Sequence, residues 1–290
     1  MRRVIVIALA LLMPVAGRAG ELADATGRHG ALPDHIARVL PAGPPAAVLL
    51  AALAPDLMIG WPAKLTPEGR AALDPMTAKL PEVPRLTGKA DVTEAVRKLA
   101  PDLILDYGTV SPEYASLAEK TQARTGIPTV LLDGALTASP AVLRALGAAL
   151  HRTARAEALA REAEAILALP APAHGFRVVY ARGPDAALLS APGSGPAEVF
   201  ERLHWQLLAP PGKGNARTAT PAQVVALDPD YVIVADPAAV AQVRAWPGLR
   251  AAAAGHVLAD PGQPFGWIAE PPSINRLLGL IWLRGLAVSQ

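Results

Sequence analysis

Helix-like segments alternate along the chain with short, continuously apolar runs. Three of these runs directly follow a Pro-Asp pair, at 57–60, 103–106 and 231–236. Proline ends the preceding helix because it disfavours the helical conformation in the residue before it. A fourth junction has Gly126 between a helix predicted over 112–125 and a strand over 129–132. Unbroken apolar runs are typical of strands buried on both faces, so the pattern predicts an α/β fold with parallel sheets.

One longer helical pattern divides the chain. Ser139 is a suitable N-cap with Pro140 after it, and apolar residues then recur every three or four positions as far as Leu169. A helix over 139–169 would be roughly 45 Å long, which is enough to join two lobes. We therefore predict an N-terminal lobe over 20–138 and a C-terminal lobe over 170–290. The charged residues on the other face of this helix are interpreted as solvated surface.

The first residues have the pattern of a secretory signal. Arg2 and Arg3 precede an apolar run over 4–16, which is too short to cross a bilayer as a helix. Small residues flank Arg18, so cleavage is predicted after Ala19, giving a signal peptide over 1–19 and a protein of the periplasm. The alternative is a membrane anchor, but anchoring through a lipidated cysteine is excluded because the chain has no Cys.

Composition excludes several classes of protein. The 290 residues are 52% hydrophobic and 18% charged, which is too apolar for a disordered chain. The absence of cysteine excludes a disulfide scaffold and a cysteine nucleophile. A formal net charge of +2 with no run of five like charges argues against a nucleic-acid partner.

Signatures of catalysis are missing from the sequence. It has no HExxH, GxSxG or phosphate-loop motif, and its six histidines are scattered. The glycine-rich segments 193–195 and 212–215 are interpreted as turns. We therefore predict no catalytic residue, no directly bound metal and no cofactor. An exported two-lobed α/β chain without a reaction centre is expected to be a binding protein rather than an enzyme.

Several motifs in order resemble one family. Asp24-Ala25-Thr26-Gly27-Arg28, Leu32-Pro33, the segment 36–39, the Pro-Asp junctions and the segment 247–257 together resemble the periplasmic substrate-binding proteins for ferric siderophores and vitamin B12. The resemblance covers nearly all of 24–288. It implies two Rossmann-like lobes joined by a rigid helix, with one ligand bound in the cleft between them. It also implies delivery of that ligand to the permease of an ABC importer. We expect the protein to be a monomer.

Ligands of open parallel sheets bind beyond the carboxyl ends of the strands. Aromatic and basic residues at or near the predicted strand ends form the candidate ligand-binding set: Trp61, Lys64, Arg85, Tyr107, Tyr180, Arg182 and Trp267. This set predicts an aromatic-lined, positively charged cleft for a metal chelate such as a ferric siderophore or corrinoid.

Three other functions stay open at this point. A small oxyanion such as molybdate or tungstate would use basic side chains and backbone amides. Haem could use Tyr107 or Tyr180 as an iron ligand. A periplasmic hydrolase could use Ser190 or Ser194 as a nucleophile, although no base stands at a recognisable spacing from either serine.

The family resemblance also implies two permease-docking glutamates, one on each lobe. Position by position, these are Glu94, in the helix before Pro101-Asp102, and Glu201, in the helix that opens the C-terminal lobe. Glu198 competes with Glu201 for the second position.

Overall fold

A computed structural model of the protein describes residues 22, 24–28, 32–86, 91–262 and 265–288. The predicted signal peptide, 1–19, lies outside the described residues. In the described part, no helix has both the length and the apolar character needed to cross a bilayer.

The N-terminal lobe is built around a parallel sheet. Its described strands and helices are β1 (Val39–Pro41), α1 (Pro44–Leu53), α2 (Pro67–Ala71), α3 (Pro75–Ala78), α4 (Thr93–Leu99), β2 (Leu103–Gly108), α5 (Pro112–Thr125) and β3 (Thr129–Asp133). A 3-10 turn at Leu136–Ala138 follows. The sheet order is β1-β2-β3, with β1 pairing Val39 to Leu103 and β2 pairing Ile104 to Thr129. The run over 57–60 forms only an isolated bridge from Met58 to Val39 rather than the predicted strand.

Local sequence explains the ends of α5. The side chain of Ser111 accepts a hydrogen bond from the backbone amide of Tyr114, and Pro112 occupies the first turn. The helix ends at Gly126, whose φ of +76° is a conformation that glycine adopts without strain. The predicted helix over 112–125 and the following strand are therefore confirmed.

The C-terminal lobe contains a second sheet that is mixed rather than parallel throughout. Its described elements are β4 (Arg177–Arg182), β5 (Leu188–Ser190), α8 (Ala197–Glu201), β6 (Gln206–Leu207), β7 (Ala216–Thr218), α9 (Pro221–Ala226), β8 (Tyr231–Val234), α10 (Ala239–Arg244), α11 (Arg250–Ala253), β9 (Val257–Ala259) and α12 (Arg276–Val288). The order is β7-β5-β4-β8-β9, with β6 also pairing β4. Strands β4, β6, β8 and β9 pair in parallel, whereas β5 and β7 add an antiparallel edge.

The structure corrects the predicted single helix over 139–169. Two helices, α6 (Ser139–Ala149) and α7 (Thr153–Leu167), pack against each other. The chain turns between them at His151, whose φ is +55°. A Cβ on Gly147 would lie 2.1 Å from the Cβ of Ala156, so the absence of a side chain permits this contact. The apolar spacing continues through a turn that contains neither glycine nor proline, which is why the sequence pattern gave no sign of the break.

Helix α7 joins the lobes, because it packs against α1 of the N-terminal lobe and α12 of the C-terminal lobe. One hydrophobic core runs through both lobes and includes Leu132 on β3, Leu146 on α6, Ala160 on α7 and Phe200 on α8. The lobes therefore share buried apolar surface in addition to their covalent connection.

The segment Asp24 to Arg28 forms a turn fastened to β3. The buried carboxylate of Asp24 accepts hydrogen bonds from the guanidinium of Arg28 at 2.5 Å and from the backbone amides of Thr26 and Leu131, each at 2.8 Å. These hydrogen bonds hold the pKa of Asp24 below its usual value against the opposing effect of burial, which is the largest single influence.

Candidate ligand-binding cleft

The most connected group of predicted site residues lies at the strand ends of the C-terminal lobe. Asp260 follows β9 directly and is buried. Its carboxylate accepts a hydrogen bond from the hydroxyl of Tyr180 at 2.8 Å, and from the backbone amides of Trp267 at 2.7 Å and Ile268 at 3.1 Å. Asp260 thus joins β4 to the segment that carries Trp267, which we name the 265–270 loop.

Burial changes the acidity of this group. Desolvation raises the pKa of Asp260 to about 6, although the hydrogen bonds it accepts act in the opposite direction. Burial and the neighbouring Asp260 raise the pKa of Tyr180 well above its usual value. Partial desolvation also raises the pKa of Glu270, and Arg182 opposes that change. The group therefore holds two carboxyls whose charged forms are disfavoured.

Arg182, the last residue of β4, supplies the positive charge of this group. Its side chain is half-buried, and its Nε is buried without a hydrogen-bond partner among the described residues. A buried guanidinium nitrogen without a partner is costly unless a ligand or water accepts from it. An oxygen-rich anion would accept a hydrogen bond from this nitrogen.

Trp61 contacts the C-terminal lobe but does so as a buried residue. Its exposed fraction is 2%, and its indole nitrogen donates a hydrogen bond to the carbonyl of Thr77 at 2.8 Å. Its ring packs against Phe265 of the 265–270 loop, with centroids 5.4 Å apart. Trp61 would face a ligand only if Phe265 moved away.

Tyr107 lies near the end of β2 and is also buried, with an exposed fraction of 1%. Its hydroxyl has no hydrogen-bond partner of normal geometry among the described residues. Burial raises the pKa of Tyr107, and the nearby Ser139 hydroxyl and Arg276 guanidinium lower it in part. Its surroundings belong to the junction between the lobes.

The two other predicted basic residues, Lys64 and Arg85, are exposed. Arg85 acts electrostatically on Asp106, a carboxyl on β2 whose pKa burial raises. The structure therefore brings together Tyr180, Arg182 and Trp267, and connects Trp61 to them through Phe265. A cavity of about 150 Å³ lies in the N-terminal lobe, between α4 and α5, and its lining includes none of these residues.

Sequence reasoning missed the role of Arg276 at the lobe junction. This residue begins α12, has an exposed fraction of 2%, and donates hydrogen bonds to the carbonyls of Gly134 and Gly195. It also pairs with Glu198 at 3.3 Å. An arginine inside an otherwise apolar stretch was the available signal, since a charged group is buried only when it has partners.

The predicted docking glutamates are both exposed. Glu94 lies in the first turn of α4 and pairs with Arg97 at 2.9 Å, with 75% of its side chain exposed. Glu201 ends α8. Glu198, its competitor, instead accepts a hydrogen bond from the backbone amide of Leu136 at 2.6 Å. The carboxylate of Glu198 therefore forms its contacts at the junction between the lobes.

Other candidate chemistry is poorly placed for reaction. Ser190 and Ser194 are buried, and neither hydroxyl has a partner among the described residues. The guanidinium of Arg217 donates to the carbonyls of Gly212, Lys213 and Gly214. The 212–214 loop therefore directs carbonyl oxygens at this guanidinium, whereas a phosphate-binding loop would direct backbone amides at a phosphate. No group of three or more His, Asp or Glu residues that could hold a metal ion occurs within the described ranges.

Several solved structures with the same fold are solute-binding proteins. An ABC transporter solute binding protein from Sulfurospirillum deleyianum is 24% identical, with a TM-score of 0.83, and the match covers 94% of this chain and 90% of that one. The molybdate periplasmic binding protein MolA of Haemophilus influenzae, solved with molybdate, is 17% identical with a TM-score of 0.72, covering 93% and 91%. The periplasmic vitamin B12 binding protein BtuF of Vibrio cholerae is 19% identical with a TM-score of 0.66, covering 88% and 99%.

These similarities confirm the predicted fold class. The chain has the two-lobed α/β fold of the ABC-transporter solute-binding proteins. No family model matches the sequence, and no curated protein sequence matches it.

Proposed function

We propose that the protein is the periplasmic substrate-binding component of an ABC importer. It binds one anionic ligand in the cleft between its lobes and delivers that ligand to a permease. The observation that carries this proposal is the half-buried Arg182 at the end of β4, with an unpartnered Nε, in a fold that solved solute-binding proteins share. Ligands of such sheets bind at strand ends, where Arg182 lies.

A metal chelate, such as a ferric siderophore or corrinoid, is the first ligand class. Half-buried Trp267 and the basic side chains of Arg182, Lys64 and Arg85 would contact it. The Trp61 ring would join them if the 265–270 loop moved. Tyr107 and Tyr180 are buried and would pack beneath the residues that contact the ligand.

A small oxyanion is the second class, and one observation favours it. Of the four aromatic residues predicted to line the cleft, Trp61, Tyr107 and Tyr180 are buried, which leaves a smaller aromatic surface than a broad chelate requires. Haem is disfavoured, because the hydroxyl of Tyr180 donates to Asp260 and that of Tyr107 is enclosed. A hydrolase is disfavoured by the burial of Ser190 and Ser194.

For docking onto the permease, we propose Glu94 on α4 and Glu201 on α8. Both are exposed carboxylates on helices, one on each lobe. Glu198 is excluded from the proposal because its carboxylate is held by Arg276 and by the amide of Leu136.

Native mass spectrometry of protein purified from its own periplasm, with metal analysis of the same sample, tests the proposal. A bound metal chelate of defined mass supports the first ligand class, and a bound oxyanion supports the second. Protein that carries no ligand, and that binds neither a metal chelate nor a small oxyanion when these are added, would contradict the proposed function.

A further inference from the structure

Polar contacts converge on one short segment before and at the start of α12. Ser273, Asn275 and Arg276, which we name the interlobe clamp, have between them hydrogen bonds to the N-terminal lobe, to the 265–270 loop and to α8. Ser273 is buried completely, and Arg276 almost completely. Side chains so deeply buried keep their hydrogen bonds in a fixed geometry, because water is not at hand to replace a lost partner.

Two contacts of the interlobe clamp cross from one lobe to the other. The hydroxyl of Ser273 donates to the carbonyl of Pro45, in the first turn of α1, at 2.7 Å. The guanidinium of Arg276 donates to the carbonyl of Gly134, just beyond β3. The clamp is therefore attached to the N-terminal lobe at two separate strand-end segments, one after β1 and one after β3.

The remaining contacts reach the 265–270 loop and α8. Asn275 donates through Nδ2 to the carbonyls of Gly266 and Pro271, the second at 3.0 Å. Arg276 donates to the carbonyl of Gly195 at 2.7 Å and pairs with Glu198. Glu198 lies in the first turn of the helix that ends at Glu201.

We propose that Ser273, Asn275 and Arg276 are positioning residues that set the width of the ligand cleft. They fix the N-terminal lobe, the 265–270 loop and α8 relative to one another. The function of these residues in binding rests on the proposed function, but their effect on lobe geometry does not. Apolar packing across the lobes is non-directional, whereas hydrogen bonds from a buried guanidinium are directional and select one arrangement.

In place of one rigid interlobe helix, α7 and the interlobe clamp together fix the orientation of the lobes. The chain turns at His151, so no continuous helix over 139–169 holds the lobes apart. Helix α7 still joins them, and the interlobe clamp adds a second connection far away in sequence. Two separated connections restrict a hinge more than one does, and a cleft held near its binding width loses less entropy when ligand binds.

The distance between the lobes in the ligand-free full-length protein tests the proposal. The chain has no cysteine, so spin labels attach only at introduced positions. Glu119→Cys on α5 and Ala241→Cys on α10 place one label on an exposed position of each lobe. Pulsed electron paramagnetic resonance then gives the distribution of label-to-label distances.

We expect Arg276→Gln to widen this distribution about twofold or more, and Ser273→Ala to widen it less, because the serine variant removes one interlobe hydrogen bond. Arg284→Gln is the matched control: Arg284 lies on the same helix and donates to the carbonyl of Pro170 within its own lobe. It should leave the distribution unchanged.

An unchanged distribution in folded Arg276→Gln would overturn the proposal. If that variant does not fold, the double variant Arg276→Lys with Ser273→Ala is measured instead. An unchanged distance distribution in this double variant would also overturn the proposal. Because no ligand is added, failure of this experiment leaves the proposed function untouched. Failure to find a ligand likewise leaves the lobe measurement valid.

Discussion

The carboxylate of Asp102 accepts a hydrogen bond from the backbone amide of Arg38 at 2.9 Å. The C-terminal lobe repeats this contact, with Asp230 accepting from the amide of Arg177 at 2.8 Å. In both lobes the arginine lies just before or at the start of a strand, and its guanidinium donates to a carbonyl at the end of the helix that precedes the Pro-Asp pair. The aspartate of the Pro-Asp pair thus connects a helix end to a neighbouring strand through hydrogen bonds, once in each lobe.

Replacing either aspartate should destabilise the protein. Asp102→Ala leaves the amides of Ala37 and Arg38 without their acceptor, and Asp230→Ala leaves the amide of Arg177 without one. Each variant should therefore lower the free energy of unfolding by about 1 to 2 kcal/mol. The two losses should add because the sites lie in different lobes. Urea unfolding measures both, and Asp34→Ala, at an exposed aspartate, serves as the control. A loss confined to one of the two variants would show that the repeat is not equivalent in energy.

Gly147 distinguishes a packed helix pair from one long helix. In an isolated helix, Gly147→Ala would raise the free energy of unfolding by up to about 1 kcal/mol, because alanine is the better helix former. In this structure the new methyl group would meet the Cβ of Ala156, so we expect destabilisation of about 1 to 3 kcal/mol. Gly285→Ala, where a Cβ would meet no atom within 4 Å, is the control and should be neutral or stabilising. Stabilisation by Gly147→Ala would contradict the packed pair.

Helix ends could be predicted from the sequence, whereas turns and strand pairings that depend on distant residues could not. Local signals, such as Ser111, Pro112 and Gly126 around α5, fix helix ends through contacts within a few residues, and those boundaries were predicted correctly. The turn at His151 depends on packing between two helices, and the antiparallel edge made by β5 and β7 depends on pairing. No single short segment carries that information.

The candidate site was predictable to a similar extent. Strand-end reasoning located Tyr180, Arg182 and Trp267 in one group, because it depends on sheet topology alone. It could not tell a side chain that faces the cleft from one that faces the core, so Trp61, Tyr107 and Tyr180 were placed in the ligand-binding set although all three are buried. The burial of Arg276 depends on partners that lie far away in sequence.

Asp260 should make stability depend on pH. Its pKa is about 6 in the folded protein, against about 4 in an unfolded chain. Because the folded state binds the proton more tightly, the contribution of Asp260 to the free energy of unfolding is fully present below about pH 4 and is lost as pH rises through about 6. The loss should be on the order of 2 to 3 kcal/mol.

Urea unfolding across this interval, with Asp260→Asn as the comparison, isolates that contribution. The difference between wild type and variant should change with pH and level off above about pH 7. Tyr180→Phe removes a donor that favours the ionised carboxylate, so the midpoint should move to higher pH. A difference that stays constant from pH 4 to 7 would show that Asp260 has an ordinary pKa.

Arg182 should contribute directly to ligand affinity. Arg182→Ala should weaken the binding of the anionic ligand identified by native mass spectrometry by roughly 1 to 3 kcal/mol, since a charged hydrogen bond in a partly buried site is lost. Isothermal titration calorimetry measures the change, and Arg244→Ala, on α10, is the control. Quenching of tryptophan fluorescence by ligand should persist in the Arg182 variant at saturation, because Trp267 remains in place. Unchanged affinity would remove Arg182 from the site.

Glu94 and Glu201 should govern transport without governing ligand binding. Charged groups at the rim of an interface mainly set the rate of association and the orientation of the partners. Glu94→Ala combined with Glu201→Ala should therefore slow uptake and weaken permease binding by roughly tenfold, while the dissociation constant for the ligand stays unchanged. Glu119→Ala combined with Glu162→Ala removes two other exposed helix carboxylates and should leave uptake at the wild-type rate.

Uptake assays in cells and permease binding in detergent or nanodiscs supply the measurements. Equal loss of uptake in both double variants would point to net charge rather than to docking, and loss of ligand affinity in the first would show that these residues act on the cleft.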